Sequence, residues 1–259
     1  MKENNSIEKI VIPPTLYKYM PEWPFALNTL TTRYFYFSHK SDFNDPFEGM
    51  FFDDGQYSKE DIRHYFRNQC HASEDSMISL EKILSVKNWE TILKDLLKKE
   101  KEKVERDYGI LCLSRIKNDI LMWSHYANSH KGIVIEIDSK ILLQYLTSSK
   151  SAALIKAVKY EKDYPKVQLF KNPTGAADKW FLTKYITWKY EEEWRAIHKP
   201  GLIQFPKEII KSVYFGVKFD LKKQDIWIKQ IIDSGIHPQF YQAKLKESSY
   251  ELDFNPIII

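Results

Sequence analysis

The residues best suited to chemistry lie in three short stretches. MWSHYA (Met122–Ala127) holds Trp123, His125 and Tyr126 within one turn of each other. An imidazole there is either a general acid or base working near neutral pH or a core histidine whose second nitrogen meets a backbone carbonyl. In YEEEWR (Tyr190–Arg195), Glu191 and Glu193 stand beside Arg195. They are either a carboxylate pair for electrostatic and proton-transfer work or a solvated strand face with an Arg–carboxylate pair. In FNDPFEG (Phe43–Gly49), Asn44 and Asp45 precede Pro46, which pushes Asp45 towards extended backbone and makes an Asx turn the bland outcome. Other chemistries are disfavoured. His125 and His130 are five apart and do not share a helix face as i,i+4 metal ligands do, so no metal site is expected. Cys112 sits in an apolar strand pattern and is expected to be inert. The chain has neither a Gly-rich phosphate loop nor a G-x-S-x-G elbow, against nucleotide kinases and α/β-hydrolases.

The elements that must position these residues follow from periodicity. GILCLS (Gly109–Ser114) is a strand, and Asn118–Asp138 reads as polar loop, compact helix and strand. Upstream, LYKYM (Leu16–Met20) is a strand with Leu16, Lys18 and Met20 on one face, and Phe25–Leu30 is a helical turn or two. RYFYFS (Arg33–Ser38) has aromatics on both faces, which predicts a strand covered on both sides. Residues 58–108 are helical, opened by a Ser58–Asp61 capping box, recapped at Asn88 and ended by Gly109. The Lys98–Arg106 charge run predicts a solvated helix face. Downstream, Ser139 starts a short helix, Ala152–Tyr160 is a strand, 161–175 a loop and 176–186 a helix. Ile186–His198 alternates over its whole length and is read as a strand with Lys189, Glu191, Glu193 and Arg195 on one face; as a helix it would cluster Trp188, Glu191, Glu192 and Arg195. A strand at Ser212–Phe219, a helix at 221–234 ended by Gly235, and the strands FYQAKL and YELDF close the chain. The expectation is an α+β fold, a mixed, mainly antiparallel β core in one domain over 1–259, with residues 1–12 frayed and 58–108 a helical insertion.

Composition sets outer limits. The chain has 259 residues, 43% hydrophobic and 29% charged, with 39 basic against 35 acidic side chains for a net charge of +4. That balance argues against nucleic acid or an anionic membrane as a partner chosen by charge. Two cysteines far apart make neither a disulfide framework nor a zinc motif, and a reducing cytoplasm is the expected compartment. No run approaches the roughly 20 apolar residues needed to cross a bilayer, and the N-terminus shows no apolar signal region.

LYKY (Leu16–Tyr19), FNDPFEG, ILCLS (Ile110–Ser114), MWSHYANSHKG (Met122–Gly132) and WKYEEEWR (Trp188–Arg195) occur in that order. Together they resemble a widespread bacterial domain-of-unknown-function family defined by this series of motifs. The resemblance runs from about Leu16 into the C-terminal strands. It implies that reactive residues lie among Lys18, Tyr19, Asn44, Asp45, Glu48, Ser114, Trp123, His125, Tyr126, Lys131, Glu191, Glu193 and Arg195.

A second resemblance supplies a chemistry. A basic residue on the first strand (Lys18), a helical block, a strand ending in Ser114 and a late strand with Glu191-x-Glu193 are similar to the layout of ADP-ribosyltransferases. Lys18 stands where Arg or His is usual, the full Ser-Thr-Ser pattern is missing, and MWSHYA has no counterpart. The resemblance implies a split sheet, NAD as substrate, Glu193 as catalytic carboxylate and Glu191 as its partner towards the acceptor. Tyr17, Tyr19 or Trp123 would stack the nicotinamide. Breaking the nicotinamide glycosidic bond passes through an oxocarbenium-like centre, which a preorganised carboxylate aimed at the ribose 2′-hydroxyl stabilises. A bacterial defence or toxin effector would suit that activity; its acceptor, protein or nucleic acid, and its oligomeric state are left open. Two rivals stand beside it. One is a hydrolase or nuclease with His125 as base and Asp45 or Glu48 as orienter or metal ligand. The other is a non-catalytic module in which Trp123, Tyr126, Lys131 and Arg195 hold a nucleotide or nucleic-acid base.

Overall fold

A computed structural model describes residues 11–148 and 154–259. The frayed segment expected at 1–12 lies outside them apart from Val11 and Ile12, as do the first two residues of the strand expected at Ala152–Tyr160. The chain opens with strand β1 (Thr15–Met20), helix α1 (Leu27–Thr32) and strand β2 (Tyr34–Phe37). Helices α2 (Lys59–Asn68), α3 (Glu74–Ser85) and α4 (Trp89–Asp107) follow. Next come β3 (Gly109–Ser114), the short α5 (Ile120–Tyr126), β4 (Ile133–Asp138) and α6 (Ser139–Ser148). Strands β5 (Leu154–Ala157) and β6 (Lys159–Glu161) precede α7 (Pro173–Phe181) and β7 (Thr183–Tyr185). The last stretch holds β8 (Glu193–His198), β9 (Gly201–Gln204), β10 (Ile210–Phe215), α8 (Leu221–Asp233), β11 (Gln239–Leu245) and β12 (Leu252–Pro256). The fold is α+β, with a mixed, mainly antiparallel sheet. By its contacts the chain divides into two compact units.

The first unit draws on the described residues of Met1–Phe37, Ile110–Ala157 and Tyr190–Ile259. Its eight-stranded sheet runs β12-β11-β10-β4-β1-β3-β8-β5. Alternation sorts side chains onto two faces. Leu16, Leu111, Leu113, Ile133, Ile135, Ile137, Trp194 and Ala196 join the main core, which α1, α6 and α8 close with Leu30, Leu142, Leu146, Trp227 and Ile231. Each such large aliphatic contributes roughly 1.5–3 kcal/mol by leaving water. Helix α8 starts where Asp220 accepts from Lys222 N–H at 2.9 Å and ends before Gly235 at φ +80°. As a crossover helix it makes β10 and β11 parallel neighbours. Strand β1 pairs with β4 over six residues, Thr15↔Asp138 to Met20↔Ile133, but with β3 at Tyr17↔Ser114.

Strand β2 pairs with β9 in a two-stranded ribbon. Phe35 and Phe37 are buried, but Tyr34 and Tyr36 are 37% and 47% exposed. The expected cover on both sides is therefore corrected to one. A ribbon packs a single face, and tyrosine keeps its hydroxyl in water at no cost.

The second unit is Ser38–Gly109 with Val158–Lys189. Helix α2 begins with the Ser58–Asp61 capping box, Asp61 N–H donating to Ser58 Oγ at 3.1 Å and Ser58 N–H to Asp61 Oδ2 at 2.8 Å. Ile62, Tyr65, Leu84, Leu93 and Phe170 form its core. Three local expectations fail here. Asn88 makes no side-chain cap to α4. Gly109 opens β3 instead of ending α4, whose last turn already closes into extended Tyr108. Helix α7 starts at Pro173, not 176, because Asn172 caps it by accepting from Gly175 N–H at 2.9 Å. Part of the α4 charge run docks on its own unit: Glu100 accepts from Tyr65 at 2.8 Å, Glu105 meets Lys40 at 2.9 Å, and Lys101 lies 4.9 Å over the Phe51 ring. Among the described residues no helix is long and apolar enough to cross a membrane.

Candidate functional site

The chemistry-bearing stretches of the first unit meet around the turn before β8. The strand expected over Ile186–His198 is corrected in its first half. Ile186–Glu191 forms a tight helical turn, Glu192 takes φ +41°, and only Glu193–His198 is extended. The sign change at Glu192 turns the chain without breaking the inward aim of its neighbours. Glu191 and Glu193 are 2% and 5% exposed, and Arg195 is 1% exposed, so this is not a solvated strand face.

Each of the three consecutive glutamates is engaged by another side chain. Glu191 Oε1 accepts from Tyr126 Oη at 2.6 Å. Glu192 points outward to Arg115, 2.8 Å away. Glu193 takes Arg195 in a bidentate pair, Nε to Oε1 at 2.8 Å and Nη2 to Oε2 at 3.0 Å. An i,i+2 spacing on a strand puts both on one face, here the face opposite Trp194 and Ala196. Ser114 ties the end of β3 to this turn: its hydroxyl donates to the Glu191 carbonyl at 2.7 Å and accepts from Ile116 N–H at 3.0 Å.

Helix α5 supplies the other half. Asp119 caps it, accepting from Leu121 and Met122 N–H at 2.9 Å each. Trp123 is fully buried, donates its indole N–H to the Lys117 carbonyl at 2.8 Å and meets Tyr19 edge-on at 5.6 Å. It anchors the helix and offers no face to a ligand. Tyr19 is likewise core: burial, then the Asp119 charge, holds its phenol far above the usual range, and it donates to the Ile116 carbonyl at 3.0 Å. The expected stacking of nicotinamide on Tyr19 or Trp123 has no open surface. His125 is exposed, with Nδ1 3.0 Å from the Tyr190 hydroxyl, so the core-histidine reading is overturned. The chain leaves α5 through three successive left-handed residues, Asn128, Ser129 and His130. It then passes Gly132, where a Cβ would stand 2.2 Å from the Met20 carbonyl oxygen.

Lys18 donates to the Cys112 carbonyl at 3.1 Å, beside the point where β1 leaves β3. Burial pushes the Cys112 thiol well up, and the Glu193 carboxylate adds to it against the pull of Arg195 and Lys18. Part of the residue reaches solvent, but the sulfur sits deep enough for desolvation to dominate, and it is a thiol, not a thiolate. Lys18, Ser114, Glu191, Glu193, Arg195, His125 and Tyr126 thus share one unit. Tyr190 and Arg115 were missed by sequence reasoning; their place directly beside a chosen acid and a chosen serine was the available signal.

Asn44 and Asp45 belong to the second unit. Asn44 is exposed. Asp45 does form the Asx turn, accepting from Phe47 N–H at 2.9 Å, and its other oxygen accepts the Trp188 indole N–H at 2.9 Å. A cavity of about 510 Å³ opens here, lined by residues of this unit alone, among them Asp45, Glu48, Tyr164, Lys184, Tyr185 and Trp188. Among the described residues no group of three His, Cys, Asp or Glu side chains is arranged to hold a metal ion.

Fold and site together define an α+β protein whose buried acids are gathered by α5 and β8. Residues 122–196 match the family model described as "Protein of unknown function (DUF2971)". The matched stretch runs from α5 into β8 and contains two of the five motifs, MWSHYANSHKG and WKYEEEWR, which supports membership of a domain-of-unknown-function family. No curated protein and no solved structure matches the chain.

Proposed function

We propose that the first unit carries out glycosyl transfer from NAD, in the manner of an ADP-ribosyltransferase, with Glu193 as the catalytic carboxylate. The observation that carries the reading is the meeting of Ser114 at the end of β3, Glu191 in the turn before β8, and Glu193 and Arg195 on β8, all buried, with Lys18 at the Cys112 carbonyl. A carboxylate held in a low-dielectric setting acts on developing positive charge far more strongly than one in water. At rest Arg195 neutralises Glu193. A diphosphate is the kind of anion that competes for a guanidinium fork, and drawing Arg195 towards it frees Glu193 for a ribose 2′-hydroxyl. NAD supplies the scissile C–N bond, whose electron pair leaves with nicotinamide. Glu191, held by Tyr126, takes the proton of the attacking acceptor. A cytoplasmic bacterial defence or toxin role is the setting such an activity suits, by analogy with its class.

The test is nicotinamide release followed by chromatography, together with the melting shift on adding NAD. Wild type is expected to melt higher with NAD and to release nicotinamide; Glu193→Gln should keep the shift and lose the release. An unchanged melting point at saturating NAD, with no nicotinamide formed, overturns the reading. The exposed His125–Tyr190 pair favours a second reading, hydrolysis with His125 as general base. Under it, turnover of a hydrolysable substrate is lost in His125→Ala and retained in Glu193→Gln.

A further inference from the structure

We propose that the cavity of the second unit is a binding site for a small organic cation with an apolar body, such as an aryl-substituted or methylated ammonium compound. The argument starts from its charges. Asp45, Glu48, Glu161 and Asp163 face it against Lys162 and Lys184, four negative groups to two positive. The Glu48–Lys184 pair is buried, 4% and 8% exposed at 3.6 Å, and these two charges cancel locally. Asp45 is fixed by the Phe47 and Trp188 N–H groups, which hold its carboxylate in place without neutralising it. The acidic excess therefore stays on the lining, where low-dielectric walls focus its field and exclude anions.

The walls give the rest. Phe47, Tyr164 and Tyr185 are 65%, 48% and 53% exposed, an uncommon amount of aromatic surface to leave wet around one concavity. A ligand that covers them gains from burial, and aromatic faces attract a cation in particular. The Trp188 face is taken by the Lys184 ammonium, 5.0 Å over the ring, which leaves Phe47, Tyr164 and Tyr185 as the faces open to a ligand. At about 510 Å³ the space suits a small molecule. A neutral apolar body would bury the same rings but leave the acidic lining uncompensated, which is why charge is part of the assignment.

The experiment is an NMR titration of the full chain with benzyltrimethylammonium, benzyl alcohol and benzoate. The cation is expected to saturate with shifts at the Trp188 indole, roughly tenfold tighter than the alcohol, with benzoate weakest. Asp163→Asn removes one lining charge at an exposed position; Tyr185→Ala removes a wall at an exposed position and leaves the fold intact. Each should weaken the cation severalfold. Equal binding of alcohol and cation, an affinity unmoved in both variants, or no saturation by about 10 mM overturns the proposal. No NAD or turnover enters the measurement, so it stands or falls apart from the reading of the first unit.

Discussion

Removing one partner of the Glu193–Arg195 pair should cost far more than removing both. The side chains are 5% and 1% exposed and meet at 2.8 Å. Two unit charges at that distance attract by about 6 kcal/mol at an effective dielectric of about 20. Desolvating both ions offsets most of this, so the intact pair contributes little net stability. Arg195→Met alone takes the bidentate partner from a buried carboxylate, and Glu193→Leu alone takes it from a buried guanidinium; each is expected to cost about 3–5 kcal/mol. At roughly 2–4 °C per kcal/mol for a chain of this size, the melting point falls by about 6–20 °C. The double variant should recover at least half of the summed loss, a coupling that a double-mutant cycle in urea reads directly. Tryptophan fluorescence is a suitable signal because Trp194 lies between the two positions in β8. Single losses under about 1 kcal/mol, of the size seen at solvated pairs, would refute the reasoning. So would strict additivity, which would mean that neither charge depends on the other.

Three further outcomes can be measured elsewhere in the chain. In Gly132→Ala the new Cβ meets backbone on both sides, 2.2 Å from the Met20 oxygen and 3.0 Å from Ala127, so the clash cannot be relieved by a side chain. The loss should reach roughly 3 kcal/mol, the top of the usual overpacking range, and urea unfolding should show it. Gly55→Ala, with nothing within 4 Å, should cost about 1 kcal/mol for its φ of +65°. Burial holds His130 and His198 below the ordinary 6.5; the Lys218 charge lowers His130 further, while at His198 a backbone hydrogen bond with Lys199 works the other way without overcoming burial. Their folded values lie below the unfolded one, so this stability is complete above about pH 6.5 and is lost as pH falls towards the folded values. The urea midpoint should therefore drop between about pH 7.5 and 5.5, and His130→Gln should flatten the drop; a midpoint that rises on acidification would contradict it.

Much of the fold was legible because its signals are local. IVIEID and GILCLS are short, largely apolar runs of strand length, Ser58 and Asp61 form the cap their spacing predicts, and Gly235 stops α8 at positive φ. The rest depends on partners remote in sequence. That residues 158–189 share a core with 38–109 rests on contacts such as Tyr57 with Phe170, rings 5.1 Å apart, and the Phe52↔Lys166 bridge. No periodicity of either segment carries that information. The tyrosine face of β2 misled for a related reason: alternation shows that a face is aromatic, while its burial is decided by what packs on it.

YEEEWR makes the same point within one motif. Strict alternation placed Glu191 and Glu193 on a common face, and both are buried with Glu192 outside. The backbone reaches that result differently, through a helical turn and one left-handed residue, so the in-out-in order survived although the first half of the strand did not. Of the three partners, only Arg195 is close enough in sequence to be read from the spacing. Tyr126 is 65 residues from Glu191, and Ser114 reaches the same turn across 77. A buried acid needs a donor wherever the fold can bring one, and a run of three acids is therefore a demand that the local sequence states but cannot answer. The MWSHYA helix and the end of GILCLS are the answer, which is why these motifs belong together although no single one of them has a chemistry of its own.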